Sequence, residues 1–191
     1  MKRVLLFICL LLLNICLVKA EDIVFGEKEP CEQGSCTWTG PSALLLSLDD
    51  GNCIYLVEYW YTTCDYDEKT QITGIYKILG GESCTFTNSE LRKEAYVKLW
   101  VDDPMNFDKQ SSQAINQEYS CFEVHYDHPN DHIALIVPMT YLDTSLLQGI
   151  NYSITPGGDI RFTNIDFWLG CTGSVCCKMY YYIWRELGEI V

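Results

Sequence analysis

Nine cysteines constrain this chain more than any other feature: Cys31, Cys36, Cys53, Cys64, Cys84, Cys121, Cys171, Cys176 and Cys177. All follow an N-terminal leader. Lys2 and Arg3 precede a run from Val4 to Val18 that is apolar except for Asn14, and "VKA" then precedes "ED". A basic start, an apolar stretch and a short pre-cleavage segment read as a secretory signal peptide over residues 1–20, cut after Ala20. An uncleaved anchor is the competing reading, but the run falls short of the roughly 20 residues that span a bilayer. Residues 21–191 then form one domain without a further spanning run. In an exported chain cysteines read first as disulfides, so four bridges and one odd thiol are expected. "CEQGSC" (31–36) and "CTGSVCC" (171–177) share a C-x4-C spacing, and the expected pairing joins these two regions. Zinc knuckles need two short C-x2-C pairs and a redox site needs C-x-x-C, and the chain has neither.

Between the cysteines the residues pattern as strands. "ALLLSL" (43–48) and "CIYLVEYWY" (53–61) flank "DDGN" (49–52), a hairpin signal. In the second segment Ile54, Leu56, Glu58 and Trp60 share one face, and Tyr55, Val57, Tyr59 and Tyr61 the other. Both faces are largely apolar, which places this strand centrally. "QITGIYKIL" (71–79) continues the pattern and ends at Gly80-Gly81.

Leu91, Ala95 and Leu99 recur at helical steps, predicting one helix over 90–100 capped by Ser89, with a shorter helix near 112–119. "CFEVHY" (121–126) and "HIALIVPM" (132–139) read as a hairpin around "DHPND". The stretch 150–165 reads as another, with Gly157-Gly158 supplying positive φ, and 177–184 as a last strand. The expected fold class is mainly β: an antiparallel sandwich or open barrel with one short helical insertion, stabilised by disulfides.

Charge excludes some partners. The chain has 13 basic and 26 acidic residues, and loss of the leader leaves about −16. Such a chain repels phosphate backbones, so no nucleic-acid partner is expected.

The three histidines, His125, His128 and His132, lie in "EVHYDHPNDH" (123–132) beside Asp127 and Asp131. If 122–127 and 132–137 pair across the turn, Asp127 faces His132 and His125 faces Ala134. His125, Asp127 and His132 could then share a face and hold zinc or copper, while His128 belongs to the loop. The plainer reading is a polar hairpin tip without a cofactor. Carboxylates in "DDP" (102–104) and at Asp166, beside Phe167 and Trp168, sit near aromatics, but with so many acids a pair alone says little. No G-x-S-x-G elbow or phosphate-binding glycine loop is present.

Tyr59, Trp60 and Tyr61, with Tyr180, Tyr181 and Tyr182, occupy both faces of their strands, and any left exposed could bind protein or carbohydrate. Asn151-Tyr152-Ser153 is an N-glycosylation acceptor in a eukaryotic setting.

"GNCIYLVEYWYTTC" and "IYKILGGESC", followed late by "CTGSVCCKMYYYIW", resemble cysteine-rich exported proteins of Bacteroidetes and Chlorobi-type bacteria. The resemblance covers most of the chain after the leader and implies an envelope or secreted location, with no activity attached. Those proteins often carry a further cysteine in the closing strand, where this chain has Trp184 and Arg185. The resulting expectation is a secreted or envelope-associated, non-enzymatic binding β-domain. The alternative is a small secreted metal-binding protein or metal-dependent hydrolase built on His125, Asp127 and His132.

Overall fold

The computed structural model describes residues 22–31, 35–64, 67–81, 83–102, 105, 113–119, 121–126, 133–171 and 177–183. The order of elements is β1 (Asp22–Val24), β2 (Thr39–Leu48), β3 (Cys53–Cys64), β4 (Asp67–Leu79), α1 (Asn88–Asp102), β5 (Gln113–Tyr119), β6 (Phe122–His125), β7 (Ala134–Val137), β8 (Ser153–Ile154), β9 (Ile160–Thr163), β10 (Asp166–Gly170) and β11 (Cys177–Ile183). The fold is mainly β, with two sheets, and no barrel closes among the described residues.

β2, β3 and β4 form an antiparallel meander. The β2–β3 turn is as the sequence predicts: Asp49, Asp50 and Gly51 all have positive φ, and the Asn52 N–H donates to the Asp49 carbonyl at 2.9 Å. Asp and Gly tolerate this left-handed backbone better than other residues. β3 is central, as its two apolar faces require. Tyr55, Val57, Tyr59, Ile72 and Ile75 pack with Leu91, Ala95, Tyr96, Leu99 and Trp100 of α1. Leu56, Tyr76 and Phe167 pack on the other side with Leu135, Val137, Ile160 and Phe162 of the smaller sheet. The large sheet is thus sandwiched between one helix and a four-stranded sheet ordered β1-β7-β9-β8.

The far edge of β4 is shared. Glu68–Thr70 pair in parallel with Ala114–Asn116 of β5, while Gly74–Lys77 pair antiparallel with β10. β11 continues the sheet beyond β5, and β6 continues it beyond β10. The sheet therefore forks at Gln71–Thr73. Tyr96 of α1 fills the missing rung: its hydroxyl accepts from the Ile72 N–H at 3.3 Å and donates to the Gln117 carbonyl at 3.1 Å. Gln71 Oε1 accepts from the Gln117 side chain and from the Cys31 N–H, both at 2.9 Å. Tyr119 spans the opening, with its hydroxyl on the Glu29 carbonyl. Its ring lies where a Cβ on Gly170 would stand, so only glycine fits there.

Disulfides join Cys36 to Cys64, Cys53 to Cys84 and Cys121 to Cys171. Cys31 is also disulfide-bonded. The expected meeting of the two C-x4-C regions fails for Cys36 and Cys171, because strand neighbours and not matching spacings decide proximity. The side chains of Cys176 and Cys177 lie outside the described residues.

Three local expectations are corrected. The predicted helix near 112–119 is β5, whose backbone is taken up by β4 and β11. α1 is capped by Thr87 and not by Ser89: Thr87 Oγ1 accepts from the Glu90 N–H at 3.3 Å, and Glu90 Oε2 accepts from the Thr87 N–H at 2.8 Å. That reciprocal pair is a capping box. Of the Gly157-Gly158 pair in the 150–165 hairpin only Gly158 has positive φ.

Candidate functional site

The histidine segment does not form the predicted hairpin. β6 pairs with β10 in the large sheet, and β7 pairs with β1 and β9 in the small one, so the chain changes sheets between them. His125 lies opposite Phe167, and Ala134 opposite Thr163 and Asp22. The His125 ring stacks flat on Phe167, 4.4 Å between centroids, with Nε2 3.9 Å from Glu123 Oε2. Asp127, His128 and His132 lie outside the described residues. Among the described residues no three His, Cys, Asp or Glu side chains cluster as metal ligands would.

The carboxylates singled out beside aromatics are engaged in ion pairs. Asp166 meets Lys77 on the neighbouring strand, and Asp102 meets Lys98 one helical turn back at 2.8 Å. Phe167, Trp168 and Tyr59 are core residues. Trp60 lies flat over Gly40 and donates to the Lys28 carbonyl at 3.1 Å. The side chains of Tyr180, Tyr181 and Tyr182 lie outside the described residues.

Pattern reasoning passed over Glu58, although it is the one charged residue on an apolar strand face. It is fully buried opposite Gly74. A register shift beside this pair brings Thr73 to the same spot. The carboxylate accepts from Thr73 Oγ1 at 2.5 Å, the Gly26 N–H at 2.8 Å and the Tyr76 hydroxyl at 3.3 Å. Tyr76 reaches Glu58 by folding across Gly74, where a Cβ would sit 2.6 Å from the hydroxyl. Burial raises the Glu58 pKa, and the three donors oppose that rise in part. Burial first, and then the Glu58 charge, holds the Tyr76 hydroxyl well above its ordinary range. This cluster ties the turn after β1 to the middle of the large sheet.

A second feature missed in the sequence is the connection from β7 to β8. It has no periodicity to read, yet it is well anchored. Leu142, Leu147 and Ile150 are buried in the core shared with the small sheet. The Tyr141 N–H donates to the Pro138 carbonyl at 3.0 Å, and the Ser145 N–H to Asp143 Oδ1 at 2.8 Å. The Ser145 N–H, followed by its side chain, holds the Asp143 carboxyl below its usual range. Between these anchors Met139, Tyr141 and Leu146 stand 48, 39 and 59 % exposed. A depression of about 430 Å³ is lined by residues 139–144. Tyr141 is steadied by the Phe25 ring, 5.3 Å away. A fixed loop displaying an aromatic ring, a thioether and an aliphatic side chain can bury apolar surface of a partner without first paying to become ordered.

No protein family matches the chain, and neither a curated protein nor a solved structure resembles it significantly.

Proposed function

We propose that this chain is an exported, non-enzymatic binding domain that engages a protein partner through the β7–β8 connection. The carrying observation is the exposure of Met139, Tyr141 and Leu146 on a loop pinned by three buried residues. Aromatic residues and methionine are enriched at the centres of protein interfaces, and apolar patches of this kind mark contact surfaces. The net charge of −13 favours a partner whose apolar contact is ringed by basic groups. Export is supported by the disulfides, which persist in oxidising compartments. Among the described residues no helix is long and apolar enough to cross a membrane.

The test starts with affinity capture from the extracellular fluid of the source and identification of what is retained. Binding to the purified partner is then measured. Tyr141→Ser with Leu146→Ser should weaken it at least about tenfold, the range for loss of an interface anchor, with the fold retained at the temperature of the binding assay. Undiminished binding by a folded double variant overturns the assignment of this surface.

A further inference from the structure

Asn151-Tyr152-Ser153 is the chain's single Asn-x-Ser/Thr sequence with a residue other than proline in the middle. All three residues are exposed. Ile150 just before them is buried, so the Asn151 amide projects from a fixed point. Ser153 opens β8, the outermost strand of the small sheet among the described residues, where its one strand partner is Arg161 on the inner side. Next to the acceptor Tyr152 and Ile154 are 39 and 47 % exposed. An apolar, unpaired strand edge in a soluble domain invites association with other chains and is commonly shielded.

We propose that Asn151 carries an N-linked oligosaccharide, which covers the β8 edge together with Tyr152 and Ile154. The co-reactant is a lipid-diphosphate-linked oligosaccharide. The Asn151 Nδ2 forms a bond to the sugar C1, the bond from C1 to the diphosphate oxygen breaks, and the lipid diphosphate leaves. The amide loses one proton to a base of the transferase, and nothing is oxidised or reduced. The attached sugar is bulky and polar, and the surface position requires no change in the fold. This modification leaves the Met139–Leu146 surface uncovered. It rests on the export reading, because the transferase works only on chains delivered to the secretory compartment. The resemblance to bacterial envelope proteins implies a cell without that compartment, so an occupied Asn151 also overturns that expectation.

The test uses the full-length protein recovered from medium and from cells of its own source. Peptides are treated with peptide N-glycosidase in heavy-oxygen water and read by mass spectrometry. Asn151 should convert to labelled Asp in protein from the medium. Ser153→Ala should abolish occupancy, and Ser153→Thr should retain it. An unmodified Asn151 in protein from the medium overturns the glycan alone. Protein found only inside cells, with Asn151 unmodified, overturns both the glycan and the export reading. Occupancy that survives Ser153→Ala overturns the acceptor sequence as the site.

Discussion

The two long edges of β4 meet their neighbours in opposite ways. The near edge runs against β3 from Asp67 to Leu79, and the backbone satisfies itself almost throughout. Its irregularity at Thr73 is filled from within the pair, by the Glu58 carboxylate. The far edge is divided between β5 and β10, and the gap is completed by groups brought from elsewhere: Tyr96 from α1, Gln117 from β5, and the backbone of residues 29–31. A continuous ladder needs no outside partners, whereas a forked one depends on side chains that are far away in sequence. The far edge should therefore be the weaker side of the sheet.

The largest expected effect comes from unstrapping the fork. Cys121–Cys171 links the corner between β5 and β6 to the end of β10, closing a separation of 50 residues. On chain-entropy grounds its loss should cost about 4 kcal/mol. Replacing both cysteines by serine should lower stability by that order in denaturant unfolding. Amide exchange should rise first in β6 and β10, while β2 and β3 stay protected. Uniform loss of protection across the large sheet would show that the two edges are not independent.

Tyr96→Phe probes the same gap more finely. It removes one hydroxyl and leaves the Ile72 N–H and the Gln117 carbonyl without it, both in the interior. A buried N–H such as that of Ile72, once it loses its acceptor, costs about 1–3 kcal/mol. Wild-type stability in the Phe variant would mean that the fork is closed by something other than Tyr96.

The near edge was legible in the sequence and the far edge was not, and the physics of the two explains why. The hairpin of β2 and β3, the facing of Tyr55 against Leu56, and the run of β4 follow from local alternation and turn chemistry. β5 reads "QAINQEY", a polar stretch that suits a helix end as well as a strand. Asn116 and Gln117 are nonetheless buried, because Thr70, Trp100 and Gln71 supply their partners across the fork. Such pairing cannot be seen until the strands are placed. The same holds for 121–139: the "DHPND" turn signal between apolar runs fits a hairpin, but Phe167 draws His125 into one sheet while Thr163 and Asp22 hold Ala134 in the other. Of the candidate metal ligands only His125 can be placed, and its ring is given to Phe167. The exposed face at Met139, Tyr141 and Leu146 left no pattern, since exposure on an anchored loop depends on which neighbouring residues are buried.

Glu58 and Glu90 turn the comparison into one of pH. The folded-state pKa of Glu58 is raised above the ordinary 4.5, with burial as the main cause. The native state then holds the proton more tightly than the unfolded chain. The corresponding stability is fully present below about pH 4.5 and is lost as pH rises through the folded-state value. Glu58→Gln cannot ionise, so the difference in stability between variant and wild type should shift in favour of the variant as pH rises from 4.5 toward neutrality. A difference that stays constant over that range would mean that Glu58 is accommodated as readily charged as neutral.

The smallest effect is expected at the cap of α1, and there the sign reverses. Glu90 sits on the surface, and its carboxyl is held below the ordinary range by the Thr87 N–H and then by the Thr87 hydroxyl. A depressed value means that the contribution is present above about pH 4.5 and is lost as pH falls through the folded-state value. Glu90→Gln should therefore remove a stability increment seen at neutral pH and change little in acid, the mirror image of Glu58→Gln. Thr87→Ala removes the hydroxyl arm of the box, leaves the backbone N–H arm in place, and should cost about 1 kcal/mol, the usual loss for a Ser or Thr cap. Thermal unfolding of the two Gln variants between pH 3 and 7 checks the pair together. If both differences ran in the same direction with pH, the assignment of one carboxyl as buried and proton-holding and the other as surface-bound and charged would be wrong.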